Sequence, residues 1–379
     1  MEITLSAFTS HVHHSEMDAS MNGLDDLWSR ETGYETILDA VVPAALSSFS
    51  HRYSSMHVPK ENEYLRRFLG DVPRDEQLDF LKRYIEYLVW SPKYLVDSSQ
   101  AIATGSDYHE SLRDSYLDSL AKNHGIPALN YIQRMAEDSL EEATRAILQV
   151  GCVDVSQAIG HYFSCTESMI KLGHITGMPL AGDNIFTATL YLMQSGPVKL
   201  ANPQEPSMDL NEILSKLIRK TGFVGYHYMI LANGLINQRD FLGEDYYMHG
   251  LSGLEKMLPE LSDGMSHEYL EGFIDKADVT NYSIDNLKHH IWDGNKPGAF
   301  KILRENHKEN GLTPELERAI LHSYTRIDDH PHDPHYVTVP RSLFELIKHL
   351  REEDVVLALA HSVEFAVDRI QRNGVMSSL

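Results

Sequence analysis

One pattern constrains this chain more than any other: apolar residues recur at the spacing of an α-helix along most of its length. Between Asp75 and Trp90, Leu78, Phe80, Leu81, Tyr84, Leu88 and Val89 fall mainly on one stripe, with Lys82, Arg83 and Glu86 largely outside it. Tyr108–Leu120 repeats the pattern with Leu112, Tyr116 and Leu120, and Ala128–Val150, Asp209–Ile218, Tyr226–Ile236 and Val355–Ile370 read the same way. Thr313-Pro314 predicts an N-cap and a proline at the first helical position, opening a helix over Glu315–Ile327. Glu352-Glu-Asp354 supplies an acidic first turn for the last helix. Strand signals are sparse. Glu2–Phe8 alternates, but no hairpin signal accompanies it. The expectation is an all-α protein.

Breaks fall at Gly70–Pro73, Gly105-Ser106, Gly177–Pro179, Ser195–Ser207, Gly294–Gly298 and His330–Pro334. Charge and composition do not shift across Ser195–Ser207, the longest of them. The chain therefore reads as one helical domain over residues 1–379, with 195–207 a mobile loop. The tail from Asn373 reads as a frayed end.

Charge narrows the function classes. Against 55 aspartate and glutamate residues stand 33 lysine and arginine, a formal net charge of −22. Such a chain repels phosphate backbones and anionic lipid, so neither nucleic acid nor membrane is an expected partner. No run of about 18 apolar residues is present. The first fourteen residues lack the basic and apolar regions of a signal peptide. Two cysteines, Cys152 and Cys165, do not make a disulfide scaffold and suit a reducing compartment. A cytoplasmic protein is expected.

The sequence contains no Gly-x-Gly-x-x-Gly, no Walker A loop, no Gly-x-Ser-x-Gly, no His-Glu-x-x-His and no paired Cys-x-x-Cys. What it has in surplus is histidine, 21 residues. Four stretches share a form, a histidine at or near the start of an amphipathic helix. They are His13-His14 with Met17, Met21 and Leu24; His161 with Glu167 and Met169; His249-Gly-Leu-Ser-Gly with Leu254 and Leu258; and Asp333-Pro-His335-Tyr-Val-Thr338 with Arg341 and Leu343. Imidazole is the commonest metal ligand among side chains, and helices distant in sequence can converge on one ion in a bundle core. Each histidine alone is better read as a core or surface residue satisfied by hydrogen bonds. Taken together, His14, His161, His249 and His335 are candidate ligands lining a central pocket.

Asp245 and Asp333, close in sequence to His249 and His335, are candidates to orient imidazole N–H groups, and Glu167 to do so or to act as a base. Tyr162, Tyr246, Tyr247 and Tyr336 flank the candidate ligands and suit stacking on a flat substrate, though core packing with an outward hydroxyl explains them better. His57 and His227 remain pocket candidates, with His227 next in order as a ligand. His289-His290 diverge around a helix and read as surface. Asp25-Asp26 is similar to the aspartate pair of class I terpene synthases, but the companion magnesium motif is absent.

Asp245-Tyr-Tyr-Met-His249-Gly-Leu-Ser-Gly-Leu254, with Leu258-Pro-Glu-Leu261 after it, resembles a signature of the questin oxidase-like family. The His14, His161 and His335 stretches follow in that family's order, with His13 in place of an asparagine. The matching stretches cover about a fifth of the chain. The resemblance implies an all-helical oxygenase that cleaves a ring of, or inserts oxygen into, an aromatic polyketide or quinone. It implies a non-heme iron or another first-row metal held by histidines, dioxygen as co-substrate, and NADPH. A carboxylated lysine expected in the last motif would fall at Thr338, which leaves the four-histidine set without an anionic ligand. Two alternatives follow: a helical binding or scaffold protein that has lost catalysis, and a terpene-cyclase-like lyase, for which basic residues such as Arg219, Lys220 and Arg341 are few.

Overall fold

A computed structural model describes residues 3–48, 56–93, 111–176, 178–194, 196–200, 202–327 and 333–376. Within them the chain is all-α. The first ten helices are α1 (Leu5–His13), α2 (Met17–Ser29), α3 (Tyr34–Leu46), α4 (His57–Leu69), α5 (Arg74–Trp90), α6 (Leu112–Ala121), α7 (Gly125–Asp138), α8 (Leu140–Val153), α9 (His161–Thr176) and α10 (Met178–Leu192). The rest are α11 (Leu210–Leu217), α12 (Gly222–Asn237), α13 (Arg239–Leu242), α14 (Glu244–Met257), α15 (His267–Ile274), α16 (Ile284–Trp292), α17 (Lys296–Asn310), α18 (Pro314–Ser323), α19 (His335–Ile347) and α20 (Glu352–Met376). No strand occurs among the described residues, only the isolated bridges Ser48–Lys93 and Lys220–Asp263.

Local chemistry sets the helix ends. Thr313 caps α18 through its hydroxyl, which accepts the Leu316 N–H, and Pro314 follows at the first position as read from the sequence. Asp209 caps α11 in the same way. The helix expected over Ala128–Val150 is two. Ser139 adopts an extended conformation that closes α7, and its hydroxyl accepts the Glu142 N–H to open α8. Of Glu2–Phe8, the one stretch with a strand-like pattern, residues 5–8 are the start of α1. Thr4 caps that helix, and Phe8 and Val12, one turn apart, are buried. Helix α20 runs on to Met376, beyond the expected fraying point. The breaks at Gly105-Ser106, at Gly177 and at His330–His332 lie outside the described residues.

The chain collects into two compact units, each drawn from three separate stretches. One holds residues 1–63, 84–207 and 234–256, the other 64–83, 208–233 and 257–379. In the first, α3 packs on α9 and α10, and α6 to α10 pack in sequence on one another, with Ile147, Phe163 and Met169 buried. In the second, α16, α17, α18 and α19 pack on the long α20, with Tyr324, Tyr336, Leu357 and Val363 in the core. The segment read as a mobile loop is tied to α14: the Ser207 N–H donates to Glu255 at 2.7 Å and the Gln204 N–H to His249 at 3.0 Å. Residues 195 and 201 of it are outside the described set. No described helix is long and apolar enough to cross a membrane.

Candidate metal centre

Three buried histidines stand at the first position of a helix: His57 on α4, His161 on α9 and His335 on α19. A fourth, His227, lies in the second turn of α12. In the first compact unit the Nε2 atoms of His57 and His161 approach to 2.9 Å. In the second, those of His227 and His335 approach to 3.0 Å. All four rings are buried, and one nitrogen from each lies within 4.8 Å of the others. The four side chains are placed to hold a metal ion.

The opposite face of the rings shows why the nitrogens point inward. His161 Nδ1 donates to the Ala158 carbonyl, His227 Nδ1 to the Phe223 carbonyl at 2.7 Å, and His335 Nδ1 to the Asp333 carboxylate. Each of these oxygens can only accept, so each Nδ1 carries the ring hydrogen. A neutral imidazole has one N–H, and the Nε2 atoms of these three rings therefore present lone pairs. His227 and His335 bring two such lone pairs to 3.0 Å, an arrangement that repels unless a cation lies against both. Metal–nitrogen bonds of about 2.1 Å put adjacent ligands about 3.0 Å apart at a right angle and about 3.4 Å apart in a tetrahedron. The 2.9 and 3.0 Å edges match the right-angled geometry, which leaves positions for further ligands.

Backbone strain helps to orient His161. Ala158 and Ile159, separated from it by Gly160, both adopt left-handed conformations, at φ 47° and 49°. For residues with a Cβ this costs on the order of 1–2 kcal/mol each. The bend directs the Ala158 carbonyl at His161 Nδ1. Strain of this kind persists where the surroundings over-determine it, often at functional sites.

Asp333 anchors His335 twice, accepting from its ring and from its backbone N–H at 3.0 Å, and pairs with Arg369 at 2.9 Å. Burial pushes its carboxyl up, but the His335 ring and the Arg369 guanidinium outweigh burial and hold it well below the usual carboxylate range. A carboxylate behind a ligating histidine fixes its tautomer and raises its basicity. One turn after His57, Lys60 is wholly buried and donates to Ser164 at 2.9 Å. Burial lowers its ammonium pKa against the opposing pull of Cys165, Glu167 and Glu63.

The structure thus groups His161 and His335, both read from the sequence as candidate ligands, with His227, read as a pocket residue next in order. It corrects two ligands. His14 is exposed at the end of α1, with Nδ1 on the Ser10 carbonyl at 2.8 Å. His249 is buried, but its Nε2–H donates to the Val153 carbonyl and its Nδ1 accepts the Gln204 N–H, both at 3.0 Å. Neither ring nitrogen remains for a metal. Asp245, assigned to orient His249, is exposed in the first turn of α14. Glu167 is buried but is held by Lys171 and Gln238.

Among the tyrosines, Tyr162 packs edge-on to Tyr191, Tyr246 meets Arg113, Tyr247 lies under Arg239, and Tyr336 lies under Arg369. These are packing roles. The fourth member of the group, His57, was legible only as a pocket candidate, through its place before Val58-Pro59 at a helix start. Thr338, one turn after His335, is buried with no hydrogen-bond partner for its hydroxyl among the described residues. Compared with known proteins, the chain matches no protein-family model, no curated protein and no solved structure.

Proposed function

We propose that this chain is a metalloenzyme whose His57, His161, His227 and His335 hold a first-row transition ion, and that it acts as a non-heme oxygenase on an aromatic substrate. One observation carries the metal: His227 and His335 turn two unprotonated nitrogens toward each other at 3.0 Å, with both ring hydrogens committed elsewhere. Imidazole nitrogen suits iron, copper and zinc alike. Iron is proposed because the reading is an oxygenase, whose chemistry needs a redox-active ion. Such an ion supplies dioxygen activation when bound. The residues around it hold it, fix the ring tautomers and keep bulk water out.

The absence of an anionic ligand, raised by Thr338, has a structural answer. Asp333 places a buried negative charge one imidazole away from the ion. The Thr338 hydroxyl, without a hydrogen-bond partner among the described residues, is a buried polar group that suits a bound water.

Elemental analysis of untagged protein after anaerobic reconstitution with iron(II) tests this. Near-stoichiometric metal is expected, lost in His57→Ala and His335→Ala and retained in His249→Ala and His14→Ala. A proton shared within each histidine pair is the competing occupant. It predicts no retained metal in any variant, and that result would remove the oxygenase reading with it.

A further inference from the structure

The second compact unit contains a cavity of about 270 Å³, lined by Phe223, Tyr226, Tyr269 and Phe365 among aromatics and by Lys296, Glu364, Asp368 and Arg369 among charged residues. Pockets for small ligands start near this size. The cavity adjoins the histidines of the same unit. Phe223 stands in its wall and packs edge-on to the His227 ring at 4.3 Å and to the His335 ring at 4.9 Å. A molecule in the cavity is thus one phenyl ring away from both ligands. Arg369 makes a second connection, since it lines the cavity and also pairs with the carboxylate that holds His335.

We infer that this cavity binds a neutral hydroxylated aromatic ring and that Phe223 divides it from the metal centre. The aromatic part follows from the walls. Tyr226 and Phe365 meet edge-on at 5.2 Å, and Tyr269 lies on α15 beside them, so a flat ring finds faces and edges to pack on. The hydroxyl part follows from charge. Lys296 lies 2.9 Å from both Glu364 and Asp368, so the polar end carries two carboxylates around one ammonium. Arg369 is matched by Asp333. The residual negative charge repels an aryl carboxylate and accepts hydrogen bonds from a phenol. A hydrogen-bonding site of this kind rejects molecules that lack the matching group.

As a substrate site, the cavity rests on the oxygenase reading. As a binding site, it is tested separately. The probes are 1-naphthol and 1-naphthoate, titrated calorimetrically into metal-free and iron-loaded wild-type protein. The variants Asp368→Trp, which plugs the half-exposed rim, and Asp368→Lys, which inverts its charge, keep the buried core intact. Naphthol is expected to bind wild type at least about tenfold more tightly than naphthoate. Asp368→Trp is expected to weaken naphthol by at least about tenfold, and Asp368→Lys to reverse the preference.

Failure of wild type to bind naphthol, equal affinity for the two probes, or indifference of naphthol to Asp368→Trp would each overturn the inference. Binding by metal-free protein that also fails to retain iron upholds the cavity and sinks the metal reading. In cobalt(II)-loaded protein, naphthol is expected to shift the visible absorption bands. In Phe223→Ala the shift should grow, because the dividing ring is gone; a spectrum unmoved by naphthol in both proteins refutes the dividing role.

Discussion

At the scale of single residues, the site is decided by what occupies the far nitrogen of each ring. His249 and His335 sit in equally suggestive sequence contexts, yet His249 spends both nitrogens on backbone groups and His335 spends one on Asp333. That distinction depends on Val153, Gln204 and Asp333, and only the last is close in sequence. His335 was therefore legible and His249 was not. His57 and His227 carry no local spacing at all, because their partners lie more than a hundred residues away. If Asp333 sets the His335 tautomer, Asp333→Asn should weaken metal binding by about 10–100-fold with the fold retained. Competition with a colorimetric chelator measures this, and unchanged affinity would count against the carboxylate's role.

A second residue carries a pH signature. His361 is wholly buried and donates Nε2–H to the Ile218 carbonyl at 2.7 Å. Burial lowers its pKa below 6.5, against the raising effects of that carbonyl and Glu364. Its stabilising contribution is then complete above about pH 6.5 and is lost on acidification below that, by up to about 1.4 kcal/mol per pH unit. Urea unfolding at pH 7.5 and 5.0 should show a smaller acid loss in His361→Leu than in wild type. Parallel losses would exclude this histidine as the source.

At the scale of elements, the stretch around His249 has a packing explanation. A Cβ at Gly250 would meet Leu235 at 2.6 Å, and one at Gly253 would meet Val155 at 2.6 Å. These glycines let α14 lie close against α12 and against the chain entering the strained bend before His161. The His-Gly-Leu-Ser-Gly run that resembles an oxygenase signature is here a close-approach helix face, stapled by the His249 ring. Gly253→Ala should cost about 1–3 kcal/mol through overpacking. A shift in denaturation midpoint reads this, and an unshifted midpoint would mean Val155 simply moves aside. Helix existence was legible from periodicity, and the cap at Thr313 from chemistry. The α7–α8 break escaped because Ser139 interrupts a stripe whose apolar period continues on either side. The helical start at Leu5 escaped because a short alternating run does not distinguish a strand from one turn of helix.

At the scale of the molecule, neither compact unit is a continuous piece of chain, and helices α4, α5 and α12 contribute turns to both. No composition shift marks such an arrangement, which is why the sequence reads as one domain. An ion held by four helices this far apart in sequence binds the folded chain and not the unfolded one. Iron(II) at a hundredfold excess over its dissociation constant should add about 2.7 kcal/mol of stability. Thermal melts with iron and with chelator measure it, and coincident melting temperatures would show that the ion does not link these helices.

The spacing of the four histidines also sets what a fragment of the chain can do. His57, His161 and His227 all precede His335, the last of them by 108 residues. A chain cut anywhere between His227 and His335 carries three of the rings and cannot close the set. If the four hold an ion, such a fragment stays empty under conditions that load the full chain, and capture of the metal separates the two.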